Sequence, residues 1–330
     1  MGQVPFADCR RARGAVLRHF RWGRRLAEHL SDPAEDAAED RFYADGHPLD
    51  EVHYLEAKVI LNGLRFTSVQ SFHDFGKLVR KAAKEARIDF ETERYERLRP
   101  QIREVLFLDT KEFKLYNHAF ILRRRTVYED GFPVGEPEIV FKFRHPDLDT
   151  ASQLDIRPNI PGMYRVKFKE EWLPRKDRIG GMRSLYSHNV EFKLDPLAFS
   201  SDLTAHEALV EAFPALRPLM TKENERLELV NRTAVEEVQQ KLGALDFGKD
   251  FTAESDVAVW RTRGDQHQLV GEFSFQCKFQ RRQELSAKAL LKCEEFFKLL
   301  QCEAQDWISL GTTKTGAVYR LKGNPPQSHE

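Results

Sequence analysis

The sequence predicts an α+β protein built on one large antiparallel β-sheet flanked by helices. Two observations predict it. Period-two alternation of apolar and polar residues recurs in many short runs from residue 53 onward, and turn-forming residues separate several of these runs. The chain has 330 residues, of which 41% are hydrophobic and 32% charged, so it can bury a sizeable core. Disorder throughout the chain is therefore excluded.

Ten runs have the alternation expected of strands. Turns with an Asp130-Gly131 or a Gly264-Asp265 pair join two of the neighbouring pairs as hairpins, so most neighbouring strands should be antiparallel. The predicted strands are 53–61, 105–109, 119–126, 138–144, 165–172, 188–194, 222–230, 256–261, 269–279 and 317–322.

Helical signals are fewer. Apolar spacing predicts helices over 71–86 and 284–303, each with one apolar side. Thr204 and Thr233 each precede a glutamate by three residues, which is the pattern of a capping box and predicts a helix start at both places.

Composition divides the chain into three segments. Residues 1–50 form an N-terminal extension that is partly helical or disordered, residues 51–323 form the main domain, and residues 324–330 form a flexible tail. Within the extension, 16–30 could be a basic amphipathic helix, but a helix packed on the domain or a solvated tail is the simpler interpretation.

Charge and cysteine content restrict the class of protein. Lys+Arg and Asp+Glu both number 52, so no chain-wide basic field exists to drive nonspecific binding to nucleic acid or membranes. The apolar runs are too short to span a bilayer, and no secretory signal is recognisable. The four cysteines form neither a CxxC pair nor a zinc-ligand pattern, so we expect reduced thiols in a cytoplasmic protein.

The faces of the strands carry the functional signal. Arg123 and Arg125 share one face of their strand, whereas Arg124 points to the other. Like charges on neighbouring strands destabilise a sheet unless an anion compensates them, and arginine suits phosphate oxygens. If the sheet curls, these faces line a cationic cavity; a solvated open face is the alternative. The predicted phosphate-binding residues are Lys58, Arg123, Arg125, Lys142, Lys167 and Arg226.

A few carboxylates lie on the same faces, and Glu56 and Glu272 are the best candidates for binding Mg²⁺ or Mn²⁺. An ion pair with a neighbouring lysine or arginine explains either glutamate equally well. We expect these two residues to be the catalytic ones if the protein is an enzyme.

Five stretches resemble the CYTH family of triphosphate tunnel metalloenzymes. The strand Tyr54-Leu55-Glu56-Ala57-Lys58 is similar to the family's opening Glu-x-Glu-x-Lys strand. The most specific match is an aromatic strand ending in Asp109-Thr110, followed by a short stretch to Leu115-Tyr116 and then by Leu122-Arg123-Arg124-Arg125. Segments 138–143, 218–226 and 270–275 resemble later strands, and the resemblance covers roughly residues 53–322 in order.

The resemblance implies a sheet closed into a tunnel-like barrel of eight antiparallel strands. It also implies inward cations that hold a triphosphate, inward carboxylates that hold a divalent metal, and hydrolysis or cyclisation of the triphosphate. The Asp109 to Leu115-Tyr116 stretch is also similar to the polyphosphate-polymerase branch of the superfamily.

The sequence departs from the family at several acidic positions. Tyr54 stands in place of the first glutamate, Ser274 and Gln276 stand where the acidic strand would repeat glutamate, and 260–263 contains no carboxylate. Anion binding is therefore better supported than catalysis. Two hypotheses follow: a protein that binds triphosphate or polyphosphate and hydrolyses it with a divalent metal, or a non-catalytic phosphoanion-binding or interaction module. No protease, P-loop, dinucleotide or serine-hydrolase motif is present, and binding of a nucleic-acid strand is less favoured.

Overall fold

The computed structural model describes residue 46 and residues 48–160, 162–193, 206–221, 225–249 and 251–323. Most of the expected N-terminal extension, the C-terminal tail, the capping threonine Thr204 and the start of the predicted strand 222–230 lie outside these ranges. Their predictions are not tested.

Eleven strands and six helices make up the described part of the chain. The strands are β1 (Tyr54–Leu61), β2 (Asp89–Glu91), β3 (Gln101–Asp109), β4 (Phe120–Glu129), β5 (Phe132–His145), β6 (Arg165–Leu173), β7 (Arg183–Lys193), β8 (Glu228–Leu229), β9 (Val235–Asp246), β10 (Thr252–Thr262) and β11 (Gln268–Lys278). The helices are α1 (Val69–Ala86), α2 (Lys114–Asn117), α3 (Leu148–Gln153), α4 (His206–Ala212), α5 (Ala287–Glu303) and α6 (Lys314–Tyr319).

Nine of the strands close into a barrel. Their order is β9-β10-β11-β1-β6-β7-β5-β4-β3, and β3 pairs with β9 to complete the ring. This confirms the predicted α+β class with a sheet closed into a tunnel-like barrel. The resemblance implied eight strands that are all antiparallel. An odd number of strands cannot alternate in direction all the way around, and the parallel pair β1–β6 resolves that conflict here.

Helices pack on the apolar side chains that cover the outer faces of the strands. Phe273 and Phe275 of β11 pack in one cluster with Phe75 of α1 and Phe296 of α5, which explains why both helices lie against this side of the barrel. A second cluster, which includes Phe141 of β5, covers the opposite side. Because the outward faces form the hydrophobic core, the inward faces are free to be polar.

Three predicted elements are wrong. The segment that follows Thr233 is strand β9, not a helix, because its pairing with β10 and β3 outweighs its helix-like spacing. The first half of the predicted strand 317–322 belongs to helix α6, and the second half is a turn. Of the predicted strand 222–230, the described residues are in strand conformation only at Glu228–Leu229.

The three described cysteines, Cys277, Cys293 and Cys302, are free thiols, in agreement with the prediction. Among the described residues, no helix is both long enough and apolar enough to cross a membrane.

Candidate functional site

The interior of the barrel holds a cavity of about 410 Å³ that is lined mostly by charged side chains. Ten of them are basic and seven are acidic, so the lining carries a surplus of positive charge. The basic residues are Lys58, Arg103, Arg123, Arg125, Lys142, Arg144, Lys167, Lys169, Lys278 and Lys314. The acidic residues are Glu56, Glu171, Glu191, Glu237, Glu254, Asp256 and Glu272.

Strand parity brings most of the predicted site residues together. Five of the six predicted phosphate-binding residues line the cavity, as do both predicted carboxylates, whereas Arg124 does not. Arg226 is the exception, because its side chain is exposed and lies outside the lining of the cavity. The prediction that Arg226 points inward is wrong: the strand expected around it extends only over Glu228–Leu229, so its parity does not place it in the barrel.

Glu171 is the centre of a buried ion cluster. Its side chain is 1% exposed and lies within ion-pair distance of Lys142, of Lys58 at 3.2 Å and of Arg144 at 3.6 Å. Ser187 Oγ donates a further hydrogen bond of 2.7 Å. Although burial opposes ionisation, the surrounding cations hold the pKa of Glu171 well below its usual value.

Two further carboxylates hold lysines in the cavity wall. Glu56 lies 2.9 Å from the Nζ atoms of both Lys58 and Lys169, and Glu191 lies 3.0 Å from Lys167 Nζ. Burial opposes ionisation of both glutamates, but the neighbouring lysines lower the pKa of Glu191 to about 2 and that of Glu56 below its usual range. These pairs fix the positions of the lysines.

Arg123 differs from the other inward cations. Among the described residues, no carboxylate lies within ion-pair distance of its guanidinium, and its buried Nε lacks a hydrogen-bond partner. Burial, with a smaller contribution from the neighbouring charge of Arg125, lowers the pKa of Arg123 to about 9. Arg125 itself is paired with Glu138 at 3.2 Å. The barrel therefore holds a partly buried guanidinium that makes no direct ion pair with a described carboxylate.

Lys314 reaches into the cavity from α6. Its Nζ lies 2.7 Å from Glu272 and 3.2 Å from Glu237, and 4.8 Å from the centroid of the Trp260 ring. Glu237 also accepts a 2.8 Å hydrogen bond from Trp260 Nε1. Lys314 and Glu237 are not among the site residues predicted from the sequence, because the sequence pattern predicts a strand at 317–322 and a helix after Thr233.

Two acids on β10 replace the glutamates that are missing from β11. Glu254 pairs across the sheet with Gln276, and Asp256 pairs with Ser274, and both acids line the cavity. Although 260–263 contains no carboxylate, Glu254 and Asp256 earlier on the same strand supply two to the cavity lining. The alternation over 256–261 was sufficient to predict that Asp256 shares a face with Ala258 and Trp260. Burial raises the pKa of Asp256 to about 6, and its Oδ1 has no hydrogen-bond partner.

The carboxylates do not form a resident metal site. Glu272 pairs with Ile60, four residues along β1 from Glu56, so the two backbones are about 13 Å apart along the strand. Both glutamates are ion-paired with lysines. Within the described ranges, no three Asp, Glu, His or Cys side chains converge to hold a metal ion. Glu56 and Glu272 thus do not fit one shared metal ion.

Asp109, from the Asp109-Thr110 motif of the sequence, connects secondary-structure elements and does not face the cavity. It is 1% exposed and lies outside the cavity lining. Its carboxylate accepts hydrogen bonds from the backbone N–H groups of Leu115 at 2.9 Å and Tyr116 at 3.0 Å, and from Tyr319 Oη at 2.9 Å. Asp109 therefore joins α2 and α6 to the end of β3.

We expect Asp256→Asn to remove part of the pH dependence of stability. Because burial raises the pKa of Asp256 from 3.8 to about 6, the folded state binds this proton more tightly than the unfolded state, and stability falls as pH rises through that interval. The contribution is on the order of 3 kcal/mol. Urea unfolding between these pH values should show a smaller decline in the variant, and an unchanged decline would contradict the burial of this carboxyl.

Comparisons with known proteins give structural matches only. No protein-family model matches the chain, and no curated protein matches it. A putative adenylyl cyclase from Hippeastrum, described as having a dominant triphosphatase activity, matches with 13% identity and a TM-score of 0.40 over 83% of this chain and 98% of its own. Putative adenylate cyclases from Bacillus halodurans and Vibrio parahaemolyticus match with 12% and 11% identity, TM-scores of 0.35 and 0.33, 80% and 81% of this chain, and 94% and 98% of their own. Similarity at this level does not assign a function to this chain.

Proposed function

We propose that the barrel interior binds a linear phosphoanion, either a triphosphate or a polyphosphate. The observation that carries the proposal is Arg123, a partly buried guanidinium without a carboxylate in ion-pair contact among the described residues. A buried charge is costly unless it is paired, and the planar guanidinium can donate two parallel hydrogen bonds to a phosphate group.

The other cations support the same ligand. Lys58, Lys142 and Lys167 are held in the wall by Glu171 and Glu191, and each ammonium has further hydrogen atoms to donate. Ten basic residues against seven acidic ones give the lining a surplus of basic groups, which a multiply charged anion would complement. A neutral or cationic ligand would leave this surplus unbalanced.

Hydrolysis of the bound triphosphate is a second candidate function, and Asp256 favours it. Its carboxyl has an unpaired Oδ1 inside the cavity. Mg²⁺ is commonly held by one or two carboxylates together with the phosphates of the substrate, so Mg²⁺ or Mn²⁺ would arrive with the triphosphate and neutralise its charge. We propose Glu56 and Glu272 as the other carboxylates required for turnover.

Calorimetric titration with tripolyphosphate tests binding, and a scan of phosphate release tests turnover. We expect saturable binding and at most slow release from tripolyphosphate, ATP, thiamine triphosphate or polyphosphate with Mg²⁺ or Mn²⁺. Any release should be abolished by Glu56→Gln or Glu272→Gln, while binding persists. Release that is unaffected by both variants would contradict these assignments. Binding without release would identify a non-catalytic module, and absence of binding would overturn the proposal.

A further inference from the structure

On six of the nine barrel strands, β1, β3, β4, β9, β10 and β11, the inward face changes from polar or charged to apolar toward one end of the barrel. On β1, Glu56 and Lys58 are followed by Ile60, and on β3, Arg103 is followed by Val105. All five side chains line the cavity. The alternating parity continues this series to Phe107, which is fully buried. The charged part of the cavity therefore ends at an apolar layer on these two strands.

The apolar layer continues on strands β4, β9 and β11. In β4, β9 and β11, the inward positions next to Arg123, Glu237 and Glu272 are Ile121, Val235 and Val270. Antiparallel pairing places all of these residues at the same end of the barrel, where they form one buried cluster. We call this cluster the floor; its members are Ile60, Val105, Phe107, Ile121, Val235, Trp260 and Val270.

Helix α6 and the residues before it lie over the floor. Asn231 Nδ2 donates hydrogen bonds to the carbonyls of Val318 and Tyr319 at 2.7 and 3.0 Å, and the ring of Tyr319 stacks on that of Tyr116 at 4.1 Å between centroids. Thr313, Lys314 and Thr315 themselves line the cavity. The end of the barrel that contains the floor is therefore filled by packed side chains and covered by a helix.

The opposite end is polar and exposed. Lys278, at the end of β11, is exposed, and the Glu254 side chain on β10 is 58% exposed, while both line the cavity. At the level of the floor, β5 carries Lys142, which pairs with Ile121, and Arg144 follows two residues farther on; they are 6% and 8% exposed. A ligand that enters at the Lys278 end meets the most buried cations last.

We infer that the cavity is blind and takes the free end of a linear phosphate chain. This inference rests on the proposed function. A terminal phosphate carries more negative charge than an internal one, and the deepest part of the site holds the least solvated cations, so the terminal phosphate gains most from reaching it. An internal segment cannot reach this position, because the chain would have to pass through the floor.

End-on binding makes affinity depend on chain ends. Tripolyphosphate and a long linear polyphosphate should half-saturate the protein at similar concentrations when the concentrations are expressed per chain. Expressed per phosphate, the half-saturation point should rise in proportion to chain length. If the chain instead threads through the barrel, every internal register is a binding site, and affinity per chain should increase with length.

The test is calorimetric titration of the intact protein with three further probes: cyclic trimetaphosphate, long linear polyphosphate, and the same polyphosphate with its terminal phosphates capped as alkyl phosphoramidates. We expect capping to weaken binding about tenfold or more, since a charge-assisted contact is lost, and we expect trimetaphosphate to bind as weakly as the capped chain. Equal binding of capped and uncapped chains would overturn end-on recognition while leaving phosphoanion binding intact. Failure of uncapped tripolyphosphate itself to bind would overturn the proposed function as well.

Discussion

Replacing Glu171 by glutamine is expected to lower the free energy of unfolding by about 3–5 kcal/mol, because removing one member of a buried ion cluster leaves the others uncompensated. The carboxylate of Glu171 is the common neighbour of Lys58, Lys142 and Arg144. Glutamine preserves the shape of the side chain but cannot balance these charges. Urea unfolding at neutral pH, extrapolated to water, measures the change.

Glu170→Gln is the matched control, because it makes the same substitution at the next residue, on the outer face of β6. Glu170 pairs at 3.0 Å with Arg282, whose side chain is 32% exposed, and accepts a 2.7 Å hydrogen bond from Trp172 Nε1 that glutamine can still accept. The substitution should therefore cost about 1 kcal/mol or less. The cations lower the pKa of Glu171, so its contribution is present above the ordinary pKa of glutamate and is lost as pH falls through the lower pKa of the folded state. The wild type and Glu171→Gln should therefore converge in strong acid. Similar effects of the two substitutions at neutral pH would contradict the buried cluster.

Arg123→Ala is expected to weaken tripolyphosphate binding by about 10- to 100-fold, since a bidentate charge-assisted contact to phosphate is lost. The same substitution should leave the unliganded protein as stable as the wild type or more stable. The pKa of Arg123 is lowered to about 9, which means that the folded state disfavours its charged form. Thermal unfolding with and without tripolyphosphate measures both effects, since a ligand that binds only the folded state stabilises it.

Arg124→Ala provides the control for this pair of results. Arg124 is adjacent in sequence on β4 but does not line the cavity. Arg124→Ala should therefore leave unchanged the shift in unfolding temperature that tripolyphosphate produces. An equal loss of the shift in both variants would refute the assignment of Arg123 to the inner face, and a large destabilisation of unliganded Arg123→Ala would refute its unbalanced charge.

The sequence was sufficient to predict the fold class and much of the cavity, because alternation determines which face of a strand a side chain occupies. Once the strand containing Arg123 is recognised, the opposite directions of Arg123 and Arg124 follow from backbone geometry. The same reasoning places Glu56 and Lys58 beside each other on the inner face. These residues lie in strands with clear alternation.

The missed residues lie where alternation is weak or where pairing decides the structure. Glu237 belongs to β9, whose apolar residues Val235, Val238 and Leu242 also fit helical spacing, so only its pairing with β10 and β3 makes it a strand. Lys314 enters the cavity from a helix, to which strand parity does not apply. The prediction for Arg226 was wrong for the opposite reason, because alternation suggested a strand that the chain does not form there. Closure by nine strands depends on the long-range pair β1–β6, for which no local pattern exists.

A crystal structure of the protein with tripolyphosphate would show whether the anion binds inside the barrel. We expect phosphate density there, with oxygen atoms about 3 Å from the Arg123 guanidinium and from Lys142 Nζ. One terminal phosphate should lie toward the floor and the other toward Lys278. Triphosphate bound on the outer surface, for example at the exposed Arg226, with none inside the barrel, would contradict it.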